Sequence, residues 1–193
     1  MRKSLNDIRL WELCRAGDKE AFEQLFKFYY RFLYHYGLKH TSNQVLLEDC
    51  VQELFVELWE KAPATEIQSF RAYLFQSFRF RLYRQIQKSD QYNKVKEAGD
   101  DGSLFTGSVE TLIIKKEEGD ERAKQLQTAI SQLSKRQQEI IYLRFYNDLE
   151  YEEICAIMQI SYQVSRNLLY QAIKALKKVV ISPSFSAILA FFI

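Results

Sequence analysis

The chain has 193 residues, 47% of them apolar and 27% charged, a balance that excludes a disordered chain and suits one large or two small globular domains. The formal net charge of +2 is too small to argue by itself for a nucleic-acid partner, so the distribution of charge carries more than its sum. Cys14, Cys50 and Cys155 lie far apart in helical patterns, which excludes a disulfide framework and a C-x-x-C metal site and reads as three buried small apolar side chains.

Apolar residues recur at spacings of three and four almost throughout, without strand-like alternation, so an all-α protein is expected. The first helices are predicted over 7–16, 18–38, 44–61 and 68–88. Six Gly and two Pro in the whole chain leave these helices few interruptions. Asp18 follows Gly17 and is placed to cap the second helix. His35 and His40 have no ligand partners near them in sequence, so no metal or other cofactor is expected. The N-terminus has no apolar run, so no signal peptide is expected and the cytoplasm is the expected compartment.

The third helix contains "LLEDCVQELFVELWE" (46–60). Leu47, Val51, Leu54 and Leu58 form its core stripe. Asp49, Gln52, Glu53, Val56 and Glu60 form a second, mostly acidic stripe, which suits either hydration or docking on a basic protein surface.

The fourth helix, "SFRAYLFQSFRFRLYRQIQK" (69–88), lies in a basic segment. Between Lys61 and Lys88 the bases are Lys61, Arg71, Arg79, Arg81, Arg84 and Lys88, against the single acid Glu66. Leu74, Phe78, Leu82 and Ile86 form the natural buried stripe, with Phe70 at its margin. At 100° per residue Tyr73, Phe80 and Tyr83 fall on the opposite side, beside Arg84, with Arg79 and Arg81 flanking. Aromatics beside arginines suit stacking of single-stranded bases, unless another helix covers that face.

The polar stretch 89–108 holds three glycines and no sustained period, so 89–120 reads as a linker between two domains. Helices follow near 110–133, 135–147, 150–158 and 162–179. The last two, with only "QIS" (159–161) between them, form a helix-turn-helix pattern. In the last helix Val164, Leu168, Ala172 and Leu176 are the expected core stripe, widened by Leu169 and Ile173. Gln163, Arg166, Asn167, Tyr170 and Lys174 point elsewhere, and Ser161 suits the N-cap. Arg can pair with guanine edges, and Asn or Gln with adenine edges. An ordinary helical hairpin with solvated lysines would share this pattern. Gln159 stands where such turns use Gly, at a cost of roughly 1 kcal/mol if its φ is positive. The final run, 180–193, is apolar and too short to span a bilayer, which needs about 20 residues.

Taken together these segments resemble the sigma-70 family of bacterial transcription initiation factors, in its small extracytoplasmic-function (ECF) group. Glu48, Asp49, Gln52, Glu53, Phe55 and Trp59 match the family's polymerase-docking motif, E-D-x-x-Q-E-x-F-x-x-x-W. Leu133, Arg136, Leu143, Arg144, Glu152, Glu153 and Ile154 match the start of its fourth region. The resemblance implies a region 2 helical bundle (7–88), the linker (89–120), a region 4 helix-turn-helix domain (121–179) and the apolar tail (180–193). It implies that the six motif residues dock on the clamp of the largest subunit of core RNA polymerase. Tyr73, Arg79, Phe80, Arg81, Tyr83 and Arg84 would open the −10 element of promoter DNA. Ser161, Tyr162, Gln163, Ser165, Arg166, Asn167, Tyr170 and Lys174 would read the −35 element.

An anti-sigma factor, often membrane-embedded for family members, is the further expected partner; the tail is expected to pack back on the second domain, or else to be a partner contact or a disordered end. No catalysis and no small-molecule substrate are expected. Three positions depart from the family pattern. Phe80 and Arg84 replace the usual Asn and Asp of the DNA-opening helix, Val164-Ser165 replaces a pair such as Thr-Val, and Ser134 replaces a Pro. Two other readings fit parts of the chain: a helix-turn-helix regulator that binds duplex DNA without polymerase, and a cysteine-dependent nucleic-acid enzyme.

Overall fold

The computed structural model describes residues 2–61, 67–92, 105 and 121–179. Most of the expected linker and the whole apolar tail lie outside the described residues. The described chain is helical: α1 (Arg2–Arg15), α2 (Lys19–Gly37), α3 (Gln44–Glu60), α4 (Phe70–Tyr92), α5 (Glu121–Ser131), α6 (Lys135–Ile141), a π-helical turn (Tyr142–Tyr146), α7 (Tyr151–Met158) and α8 (Tyr162–Val179). It forms two compact units. One comprises the described residues of Met1–Asp100 with Glu152–Gln159, the other those of Asp101–Tyr151 with Ile160–Ile193.

In the first unit α1 packs on α2 and α4, and α3 packs on both α2 and α4. Local chemistry sets the boundaries. Gly17 adopts φ +92 after α1, a left-handed conformation that suits glycine. Asp18 then caps α2, its carboxylate accepting from the N–H groups of Glu20 and Ala21 at 2.9 and 3.0 Å. Asn43 caps α3 by accepting from Leu46 N–H at 3.1 Å. Ser69 caps α4 by accepting from Ala72 N–H at 3.1 Å. The helix runs on to Tyr92, past the expected end at 88, because neither Gly nor Pro interrupts it before that point.

The expected stripes are buried: Leu47, Val51, Leu54 and Leu58 of α3, and Phe70, Leu74, Phe78, Leu82 and Ile86 of α4. Leu25, Tyr29, Leu33 and Tyr36 of α2 are buried as well, with Tyr29 edge-on to Phe70 at 5.6 Å and Tyr36 tilted against Phe78 at 6.4 Å. Tyr29 is fully enclosed and donates to the buried Asp7 carboxylate at 2.6 Å, tying α1 to α2. Gly37 lets α2 approach closely: a Cβ there would stand 2.5 Å from Leu47 Cδ2 and 3.1 Å from Phe78 Cζ. Cys14 and Cys50 are buried, as expected; Cys155 is only half-buried.

In the second unit α8 packs on α5 and α6. Ser134 closes a capping box with Gln137 at the start of α6, so the residue that replaces Pro still terminates the helix. The expected single helix over 135–147 is instead α6 followed by the π turn. The turn ends in Asn147 and in Asp148, whose φ is +53. Arg144 within it donates to the Leu149 carbonyl at 2.8 Å and pairs with Glu150 at 3.0 Å.

Candidate functional site

Three surfaces gather the residues singled out above. The first is the exposed ridge of α3, where Glu48, Asp49, Gln52, Val56 and Glu60 face solvent. Trp59 is 38% exposed, its ring tilted against Phe22 of α2 at 5.0 Å. Phe55 does not belong to this surface. It is 2% exposed and packs edge-on to Phe22 and Phe26. The reason is its phase, since Phe55 follows Leu54 and precedes Leu58 on the core side of the helix.

Beside the ridge runs a feature that the sequence reading passed over. Phe22, Phe26, Tyr30 and Tyr34 repeat every four residues along α2 and are half-buried. Successive rings lie 5.5 Å apart for Phe26–Tyr30 and 5.9 Å for Tyr30–Tyr34. The i+4 spacing was legible. The buried set Ala21, Leu25, Tyr29 and Leu33 repeats at the same interval, so the pattern does not tell which row faces in.

The second surface is a groove of about 390 Å³ between α3 and α4. Tyr73, Ser77, Phe80, Arg81, Arg84 and Lys88 line one side, and Glu57 and Lys61 the other. Phe80 is 66% exposed, so its ring is available as a platform. Tyr83 is half-buried and does not line this groove. It holds the Arg79 guanidinium over its face at 4.4 Å and meets His40 at 5.3 Å. Arg81 differs from the other bases. Its guanidinium donates to Glu53 at 2.8 Å and also to Glu57, bridging α4 to α3. A residue expected on DNA and one expected on polymerase are therefore paired with each other.

The third surface belongs to α8. Ser161 accepts from Val164 N–H at 3.3 Å and caps the helix. Gln159, in the turn before it, has φ +54, the left-handed conformation anticipated there. The core stripe is Ser165, Leu169, Ala172 and Leu176. Val164 is 46% exposed, and Ser165 is fully buried. Two expectations are thus corrected: Val164 leaves the core, and Ser165 leaves the DNA-facing set. Strict steps of four drift by 40° each, so Val164 lies about 120° away from Leu176.

Tyr162, Arg166, Tyr170 and Lys174 line a single groove of about 590 Å³ over Leu169 and Ile173. Arg144, Tyr151 and Lys177 join them, although they were not anticipated. Arg144 stands over the Tyr151 ring at 5.5 Å, and Lys174 over Tyr170 at 5.9 Å. Gln163 and Asn167 are exposed outside this groove.

Among the described residues no group of three or more His, Cys, Asp or Glu could hold a metal ion. No described helix is long and apolar enough to cross a membrane.

Comparison with known proteins identifies two family regions along the chain. Residues 25–91 match the sequence model for sigma-70 region 2, and residues 123–176 that for sigma-70, region 4. The chain is 26% identical over 158 residues to the ECF RNA polymerase sigma factor SigM of Bacillus subtilis (strain 168), covering 80% of this chain and 92% of that protein. It is 24% identical over 184 residues to the ECF RNA polymerase sigma factor BldN of Streptomyces coelicolor, covering 89% of this chain but 64% of BldN. Two solved structures share the fold. One is CnrH in complex with the cytosolic domain of CnrY, with a TM-score of 0.58, 18% identity, and 90% of this chain and 96% of that one covered. The other is the sigma factor RpoE in complex with the anti-sigma factor NepR from Bartonella quintana, with a TM-score of 0.56, 20% identity, and 84% and 98% covered.

Proposed function

The chain belongs to the sigma-70 family, in its ECF group, and on that premise we propose that it is a dissociable subunit that docks on core RNA polymerase and directs it to promoters. One observation supports this above the others. The same unit carries an exposed acidic ridge on α3 and an aromatic-basic groove between α3 and α4. These suit two partners of opposite charge, one a basic protein surface and the other a nucleic-acid strand.

Glu48, Asp49 and Gln52, with Val56 and Trp59 between and beside them, form the docking surface for the polymerase clamp. Phe55 supports this surface from beneath. In the groove Phe80 and Tyr73 receive unstacked bases of the −10 element, each stacked base contributing about 1–3 kcal/mol. Arg84, Lys61 and Lys88 follow the phosphates. Promoter opening then needs no reacting group, because base pairs that open transiently are trapped by stacking. On α8, Arg166, Gln163 and Asn167 face base edges of the −35 major groove, while Tyr170, Lys174 and Lys177 lie along its backbone. The cytoplasm is where such a subunit works. An anti-sigma factor is the natural antagonist, since the fold is shared with CnrH bound to CnrY and with RpoE bound to NepR.

The test is binding of the fluorescently labelled protein to sigma-free bacterial core polymerase. The wild type should bind, and the Asp49→Lys, Gln52→Lys double variant should not. Equal binding by both would remove α3 as the docking element. Failure of both to bind, with retained affinity for duplex DNA, would favour a helix-turn-helix regulator acting without polymerase.

A further inference from the structure

Phe105 falls within the expected linker, yet its ring is 2% exposed and belongs to the second unit. It meets Tyr142 at 5.9 Å, with the ring planes 57° apart. Tyr142 is itself buried and stacks on Tyr146 at 4.7 Å. These two tyrosines are the first and last residues of the π-helical turn. Such a turn is uncommon and frequently marks a functional position. A covered aromatic ring removes roughly 150–250 Å² from water, so the chain is fastened at Phe105. The consequence is one of length. The end of α4 at Tyr92 is separated from Phe105 by residues 93–104, and from the start of α5 at Glu121 by residues 93–120. Fully extended, the path to Phe105 reaches at most about 43–47 Å, and the path to Glu121 about 96–104 Å.

We infer that Phe105 is a clip that holds the linker on the second unit and so limits the spacing of promoter elements that one molecule bridges. The inference rests on the reading of the first unit as the −10 binder and the second as the −35 binder. Elements about 25 base pairs apart, as those labels place them, lie about 85 Å apart at ~3.4 Å per base pair. With the clip closed, the bodies of the two units supply the remaining ~40 Å. A domain of about 100 residues has a radius of gyration of about 13 Å, so it is roughly 30 Å across, and two of them cover that distance. Ten further base pairs are about one helical turn, which keeps the same face of the duplex and adds about 34 Å. The units would then have to supply about 74 Å, more than the roughly 60 Å they measure together. With the clip open, the linker alone covers most of the distance.

The experiment measures anisotropy of a labelled forked DNA with the whole protein. The fork is a duplex carrying the −35 element that ends in a single-stranded −10 segment, with both sequences taken from start sites mapped by run-off transcription. The two elements are set about 25 or about 35 base pairs apart. The wild type should bind the shorter fork at least about 100-fold more tightly than either segment alone, the gain expected of two linked sites, and should lose that gain on the longer fork. Ten Gly/Ser residues inserted after Gly99 lengthen the clipped path by about 33–36 Å and should restore the gain on the longer fork. The same insert after Gly107 lies beyond the clip and should restore nothing. Phe105→Ala should restore the gain and lower the urea midpoint of the second unit by on the order of 1 M. Inserts that behave alike, an unchanged midpoint for Phe105→Ala, or a wild type that keeps its gain on the longer fork would overturn the clip. A wild type with no gain on either fork defeats the two-element reading and the spacing limit with it, while the urea midpoint reads the seat of Phe105 independently.

Discussion

Phe80→Ala separates strand holding from folding. The ring is 66% exposed, so about a third of it is covered. A fully buried aromatic removes roughly 150–250 Å² from water. A third of that is about 50–80 Å², or about 1–2 kcal/mol at ~25 cal/mol per Å², as an upper bound. Stacking on a base is worth about 1–3 kcal/mol, a factor of about 5–150 in strand affinity. Phe78, two residues earlier, is fully buried beside Gly37 and Tyr36. Its truncation should cost about 3–5 kcal/mol. Urea unfolding gives the stability, and anisotropy of a −10 non-template oligonucleotide with the polymerase complex gives the affinity. Phe80→Ala should lose strand affinity with a small change in midpoint. Phe78→Ala should lose stability, and the fraction that stays folded should bind normally. The reasoning fails if Phe80→Ala binds the strand as tightly as the wild type, or destabilises as much as Phe78→Ala.

Three further outcomes are expected. Asp49→Lys with Gln52→Lys should weaken core-polymerase binding by at least about tenfold, given that close charge pairs at interfaces couple by ~1.5 kcal/mol or more. The melting temperature should stay put, because both side chains are exposed; a fall in melting temperature that matches the lost binding would point to misfolding instead. Gly37→Ala should destabilise the first unit by about 1–3 kcal/mol in urea unfolding, because its Cβ must displace Leu47 and Phe78; a neutral variant would mean that α2 and α3 can move apart freely. Burial lifts the Cys50 thiol to about 11, with Glu53 adding to the rise. The unfolded thiol titrates near 9.0, so the folded state holds its proton longer. The associated stability, about 2–3 kcal/mol for a shift of that size, is complete below about pH 9 and lost as pH rises through 11. Cys50→Ala should therefore flatten the fall in urea midpoint over that range, and an identical slope would contradict it.

What could be read from the sequence was what depends on near neighbours. Asp18 and Ser161 were placed as caps because a cap needs only its own side chain and the next three N–H groups. The α3 and α4 core stripes were legible because their apolar rows are dense and opposed by charge. Phase was harder. Phe55 matched a docking motif by letter, yet its angle puts it inside. Along α8 a row spaced strictly by four and a row spaced by four, three and four end on the same two residues, so Val164 and Ser165 were exchanged. On α2 both rows are apolar, and burial is decided by what packs above them. The pairing of Arg81 with Glu53 and Glu57 spans 28 and 24 positions and has no local signal. The π turn after Ile141 likewise interrupts a run whose letters continue to read as helix.

The central claim is tested most directly by run-off transcription with sigma-free bacterial core polymerase on genomic fragments from the source organism, with and without this protein. Discrete start sites that require the protein, preceded by shared −35 and −10 sequences, are the predicted result. Loss of those transcripts with the Asp49→Lys, Gln52→Lys variant would tie them to α3. Transcripts that are absent, or that appear equally without the protein, would contradict the account.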